Sequence, residues 1–244
     1  MRTQSSDMRP EVERMQIEIM RGFSIARKFE IVANLTDSMA SINRFYRQDL
    51  NNRIKQAYGP KWVKRSALYR QKHPDRLPAT IDVKATVLLV IASLEQRGIA
   101  FALAGRIACA FYGLPSSLYS IELQVAHPHH VQLSPYHTRI GDAALDMRHY
   151  MLVEVNRTEE KLARVQRLPL IEGHQLIPVL APEDVALDLL TRFAQTGKRD
   201  DALYNDLLGM IKIQSPTLDR AYLMHQADNR SLLTQLLRDG GILP

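Results

Sequence analysis

Phe101–Val125, FALAGRIACAFYGLPSSLYSIELQV, decides the fold. Phe101-Ala-Leu-Ala104 is a short apolar run closed by Gly105, which reads as a buried strand and a turn. Arg106 onward, with Ala108, Cys109 and Ala110, reads as a helix of small residues. Gly113-Leu-Pro115 breaks that helix. Ile121-Glu-Leu-Gln-Val125 alternates apolar and polar residues, as a strand does. Upstream, Thr80 is expected to cap a helix from Ile81 to about Gln96, which Gly98 stops. Its wide apolar face suits packing on a sheet.

This order of elements resembles the core of the nucleotidyltransferase fold, and in particular the small bacterial nucleotidyltransferase-like proteins related to toxin and antitoxin nucleotidyltransferases. In that family a Gly-Gly or Gly-Ser turn precedes an Asp-x-Asp or Asp-x-Glu pair on the next strand. Here the turn is Gly105-Arg106 and the pair position reads Ser120-Ile-Glu122. Pro182-Glu-Asp-Val-Ala-Leu-Asp-Leu-Leu190, Gly197-Lys-Arg199 and Asp206-Leu-Leu-Gly-Met-Ile-Lys-Ile-Gln214 resemble the family's C-terminal helices. The resemblance runs over residues 80–237. It implies an α+β protein with a nucleotidyltransferase-like mixed sheet flanked by helices, a helical N-terminal region and a C-terminal helical subdomain. The corresponding divisions are 1–78, 79–180 and 181–244.

Nucleotidyl transfer uses divalent ions held by two or three carboxylates. Alternate residues of a strand face one side, so an Asp-x-Asp pair can meet one metal pair. The resemblance places Glu122 and Asp146 as catalytic and metal-ligating residues, and Gly105, Arg106 and Ser120 at the nucleotide. Asp146 is the candidate third carboxylate, from Leu145-Asp146-Met147. Four positions depart from the pattern. Ser120 replaces a carboxylate, Arg106 replaces the second turn residue, Ser116 replaces a basic residue and Leu189 replaces a lysine. These departures predict a degenerate member, a pseudoenzyme that binds or regulates and needs no cofactor. The alternative is an active transferase that uses magnesium and moves a nucleotide from a nucleoside triphosphate to RNA or protein.

The net charge of +6 is concentrated. Residues 43–78 hold ten basic residues against two acidic ones, a net of +8. Within them Arg53, Lys55, Lys61, Trp62, Lys64, Arg65 and Arg70 are candidate nucleic-acid contacts. Cations neutralise phosphates, and interleaved aromatics can stack on bases. Two readings stay open here: contact with nucleic acid or an acidic protein, or a solvated basic face whose aromatics anchor it to the main domain.

The remaining features are plainer. Pro10 to Met20 reads as a first helix. Ser24 is expected to cap a longer helix reaching about Lys55, with an apolar stripe at Ile25, Val32, Leu35, Met39, Ile42 and Tyr46. That stripe suits packing within the chain or a homodimer seam. His73-Pro74-Asp75 marks a turn into the linker Arg76-Leu-Pro78. His127, His129, His130 and His137 read as a loop. Asp142 to Val155 reads as one strand, Thr158 to Arg167 as a short helix, and Leu168 to Val179 as a hairpin turning at Gly173. Ser215-Pro216 is expected to open a later helix. Cys109 is the sole cysteine, which excludes an intrachain disulfide and fits a small core residue. No apolar run suggests a membrane span or a signal peptide, so the expected location is the cytoplasm. Phosphate-loop, dinucleotide-binding and nucleophile-elbow motifs are absent from the sequence.

Overall fold

The computed structural model describes residues 3–4, 8–42, 50–74, 82–114, 118, 120–126, 133, 137–140, 143–146, 151–157, 161–171, 176–197, 201–227 and 229–243. It is an α+β fold with a mixed sheet and flanking helices. The chain divides into two compact units: Met1–Glu30, Ile107–Ser116 and Arg164–Pro244 in the first, Ile31–Arg106 and Ser117–Ala163 in the second. This grouping cuts the chain differently from boundaries at residues 78 and 180.

In the second unit, α3 (Leu50–Tyr58), α4 (Pro60–Lys72) and α5 (Val83–Glu95) precede β1 (Phe101–Ala104). The sheet then adds β2 (Ser120–Val125), β3 (His137–Ile140), β4 (Ala143–Asp146) and β5 (Leu152–Arg157), in the spatial order β3-β4-β5-β2-β1. β1 runs antiparallel to β2, and β2 runs parallel to β5. β5, β4 and β3 follow one another antiparallel. All of Phe101–Ala104 is buried, as its unbroken apolar run requires. Leu145 packs in a cluster with Ile54, Trp62 and Tyr69, which seats α3 and α4 on this sheet.

The first unit holds α1 (Pro10–Gly22), the hairpin β6 (Val165–Pro169)–β7 (Leu176–Leu180) and the helices α7 (Pro182–Gln195), α8 (Asp201–Gln214), α9 (Arg220–Gln226) and α10 (Arg230–Asp239), with α1 packed on α8. The Glu13 carboxylate accepts from Lys212 Nζ at 2.8 Å and from Gln4 N at 2.7 Å. Both charged side chains are about 2% exposed or less, which makes a buried pair spanning 199 residues of sequence. Arg21 closes the end of α8 by donating to the carbonyls of Lys212 and Ile213 and to Ser215 Oγ. Cys109 lies fully buried with its Sγ 3.5 Å from Met210 Sδ. Two further elements bridge the division: α2 (Ile25–Ile42) and α6 (Gly105–Phe111).

Several boundaries differ from the sequence expectations. Ser24 does cap α2, accepting from Arg27 N at 3.2 Å. α2 is described to Ile42, and residues 43–49 lie outside the described residues. Along its stripe Val32 is buried while Leu35 and Met39 are exposed; the side chains of Ile42 and Tyr46 lie outside the described residues. Thr80 also lies outside them; Asp82 caps α5 instead, accepting from Ala85 N at 2.8 Å. The single strand expected over 142–155 is two antiparallel strands, β4 and β5, because Ala143 pairs with Glu154 and Leu145 with Leu152. His137 opens β3 rather than standing in a loop, while His127, His129 and His130 fall outside the described residues. The helix expected over 158–167 shrinks to a 3-10 turn at Lys161–Arg164. Val165 onward instead pairs with β7, so the 168–179 hairpin stands with a longer first strand; Gly173 is outside the described residues. Asp219, not Ser215, caps α9, by accepting from Tyr222 N.

Candidate carboxylate site and basic helices

Gly105 sits where β1 ends and α6 begins, with φ at +56°, a left-handed value that favours glycine. There is a second reason for glycine. A Cβ at this position would lie 2.2 Å from the Glu122 carboxyl carbon. The Glu122 side chain therefore fills the space that a side chain at 105 would take. Its Oε1 accepts from Arg106 N at 3.3 Å, and the residue is 4% exposed. The turn and the acid form one local unit: the carboxylate is folded onto the backbone of the turn.

Ser120 and Glu122 alternate on β2 and share one face of the sheet. Glu122 pairs with Glu154 on parallel β5, so these two carboxylates leave the sheet on the same face. Asp146 does not join them. Leu145 pairs with Leu152 and thus lies on the Ser120–Glu122 face. Asp146 is the next residue, so it points to the opposite face, where its cross-strand partner is His137. The expected pairing of Glu122 with Asp146 is replaced by Glu122 with Glu154. The signal for Glu154 was present: Val153-Glu154-Val155 is an acid flanked by apolar residues. It was hidden because 142–155 read as one strand, which set the wrong register.

Ser120, Glu122 and Glu154 bring one hydroxyl and two carboxylates to this face, against which the needs of two divalent ions can be set. Such ions need several oxygen ligands, mostly anionic. Ser120 is neutral, and one of the two Glu122 carboxylate oxygens accepts from the turn backbone. Among the described residues no group of three or more His, Cys, Asp or Glu side chains is arranged to hold a metal. Leu189, expected from the resemblance to stand in place of a lysine, is buried in the first unit. Ser116 lies outside the described residues.

The Pro-Glu-Asp start of α7 has a structural role. Glu183 accepts from Asp219 N at 2.8 Å and pairs with Arg164 at 3.2 Å. Asp184 accepts from the Tyr222 hydroxyl at 2.7 Å, and the Arg164 guanidinium lies 3.5 Å from the centre of the Tyr222 ring. Tyr112 donates to the Leu180 carbonyl, and burial together with Glu183 pushes its phenol above its ordinary range.

The basic region is two helices. Residues 50–74 contain seven basic residues and no acidic one. Lys55, Lys61, Lys64, Arg65 and Lys72 are exposed. Arg70 is half-buried and donates to Asn51 Oδ1 at 2.5 Å. The side chain of Arg53 lies outside the described residues. The aromatics behave differently from the cations. Trp62 and Tyr69 are each 8% exposed and pack with Ile54 and Leu145, and Tyr58 lies against the same cluster. Trp62 is therefore a core anchor, not a base-stacking platform. Helical spacing explains the split: 62, 66 and 69 face the sheet, and 61, 64 and 65 face out.

The class defined here is an α+β protein with a mixed sheet, a glycine turn and an acid folded onto it. Among solved structures it is similar to an antigenic nucleotidyltransferase-like protein from Paracoccidioides brasiliensis. The identity is 16% and the TM-score 0.46, over 66% of this chain and 90% of that one. No protein-family model and no curated protein matches the chain. Among the described residues no helix is long and apolar enough to cross a membrane.

Proposed function

We propose that this protein is a non-catalytic, nucleotidyltransferase-like binding module whose basic helices α3 and α4 contact nucleic acid. The observation that carries the first half is the Glu122 carboxylate folded onto Gly105 and Arg106 N, with a serine at the neighbouring ligand position. A carboxylate tied to the turn backbone serves the turn, and the turn is then closed by a side chain where a triphosphate would have to approach. The second half is supported by the exposed cations of residues 50–74, which no acid within that stretch offsets. With Trp62 and Tyr69 buried, contact would be to phosphates and weakly dependent on sequence.

Binding of a labelled single-stranded RNA or DNA, titrated against salt, tests this. We expect binding to weaken steeply with salt. Joint Lys61→Glu, Lys64→Glu and Arg65→Glu reversal is expected to abolish it at ~150 mM salt, since each lost phosphate contact removes about 0.7–0.9 from the log–log slope. Binding that the reversal leaves unchanged would contradict the proposal.

The Glu122–Glu154 pairing favours a second reading, an active metal-dependent transferase with a shifted carboxylate pair. Incubation with labelled nucleoside triphosphates, magnesium or manganese, and RNA and protein acceptors separates the two. Transfer lost in both Glu122→Gln and Glu154→Gln would establish the second reading and sink the first.

A further inference from the structure

Gly209 stands in the middle of α8, where glycine is the poorest helix former short of proline. Its φ is not left-handed, so the backbone gives no reason for it. The reason lies outside the helix. A Cβ at 209 would stand 1.8 Å from Gln4 Nε2 and 2.7 Å from Gln4 Cδ. The Gln4 amide therefore occupies a slot that the missing side chain opens. Leu114 Cδ1, 3.1 Å from the same point, bounds that slot. Gln4 Nε2 donates to the Asn205 carbonyl at 3.2 Å, one turn before Gly209. Gln4 N donates to Glu13 Oε1 at 2.7 Å, while the other oxygen of that carboxylate holds Lys212 at 2.8 Å. Asn205 carries a second acceptor, Oδ1, which is buried and has no partner among the described residues. All of these residues belong to the first unit.

We propose that the slot over Gly209 is a recognition site for a glutamine side chain presented on an extended peptide, and that Gln4 fills it in cis. Three features select that ligand. The Asn205 carbonyl is an acceptor, so the entering group must donate. A primary amide does so, whereas a carboxylate would set acceptor against acceptor. The absent Cβ leaves room for the amide against the helix, and an alanine at 209 would take that room. Glu13 accepts the backbone N–H of the same residue, so main chain and side chain are read together, and proline is excluded. Lys212 already meets the Glu13 charge, so the strand needs no cation of its own. The occupant is exchangeable. Gln4 reaches Gly209 with the far end of a flexible side chain, so the amide can swing out without moving α8. Two hydrogen bonds, one of them to a carboxylate, hold it, and a like strand from a partner protein replaces them one for one. The slot belongs to a different unit from Glu122, α3 and α4, and stands independently of nucleic-acid binding.

Nuclear magnetic resonance titration of the isotope-labelled full chain carrying Gln4→Pro tests the site. Proline removes both contacts, having neither an N–H nor an amide, and residue 4 lies outside any helix or strand. The probe is a synthetic peptide of residues 1–8, MRTQSSDM, with its Gln4→Ala and Gln4→Glu forms. We expect saturable shifts on α8 with the first peptide. The other two should bind about tenfold more weakly, through loss of the hydrogen bond and of the amide packing. Adding Gly209→Ala to the chain should erase this preference. The wild-type chain should bind the first peptide more weakly than the Gln4→Pro chain does, because its own Gln4 competes. No saturable binding to the Gln4→Pro chain, equal binding of the three peptides to it, or a preference that survives Gly209→Ala would overturn the proposal. Thermal melts give a second reading and establish that each variant is folded. Gly209→Ala should raise Tm more in the Gln4→Pro chain than in the wild type, where the helix gain is offset by eviction of Gln4. Equal shifts in the two chains would also overturn it.

Discussion

Two buried glutamates, Glu122 in one unit and Glu13 in the other, are held in different ways. Glu122 rests against a glycine and accepts from a backbone N–H. Glu13 is locked to a lysine that is itself almost fully buried. The sequence led us to expect a catalytic role at Glu122 and none at Glu13. Burial of a carboxylate says only that something must compensate its charge. Glu13 ties α1 to α8, and one oxygen of Glu122 is bound to the turn backbone.

The contrast can be broken by mutation. The largest effect is expected at the ion pair. Lys212→Met leaves Glu13 buried without its cation and should cost about 3–5 kcal/mol. For a chain of this size that lowers Tm by ~6–20 °C, which a thermal melt reads. Joint Glu13→Leu and Lys212→Met should recover most of the loss, since an apolar pair needs no compensation. A small single-mutant loss would show that water reaches the pair.

Next comes the turn. Gly105→Ala meets both a left-handed φ and the Glu122 carboxylate, so it should cost about 2–3 kcal/mol. Coupled with Glu122→Ala it should cost less than the sum of the two single changes, because the collision is gone. Strict additivity would mean that the carboxylate does not occupy that space.

Glu122→Gln should cost only about 1 kcal/mol, because the amide oxygen still accepts from Arg106 N. A far larger cost would point to a cationic partner and make Glu122 resemble Glu13.

The smallest effect is at Lys28, which is buried beside Gly113 and whose ammonium burial holds below its ordinary range. Since the unfolded chain binds this proton more tightly, the charged form penalises the fold at neutral pH. Stability should rise as pH climbs from the lowered value toward 10.5. Lys28→Met should raise Tm slightly at pH 7 and flatten that alkaline rise. A lowered Tm would mean that the ammonium has a stabilising partner.

These cases also show what a sequence can and cannot disclose. β1, the Gly105 turn, α6 and β2 were legible because periodicity changes at glycines, and those changes are local. The Glu122–turn contact was not read from that stretch, where Glu122 was expected to hold a metal. Asp146 misled because strand register is non-local: splitting 142–155 into β4 and β5 moves every later side chain to a new partner and face. Trp62 misled because its cationic neighbours suggested a surface, whereas the apolar partner that buries it, Leu145, lies more than eighty residues away. Lys212 and Glu13 were invisible for the same reason. Each is an ordinary charged residue in a helix until the chain brings them together.

The claim that Glu122 serves the turn rather than a cation is tested most directly by manganese titration, followed by electron paramagnetic resonance. The account predicts no saturable site at micromolar manganese, and the same signal for wild type, Glu122→Gln and Glu154→Gln. Stoichiometric binding that disappears in Glu122→Gln would contradict it.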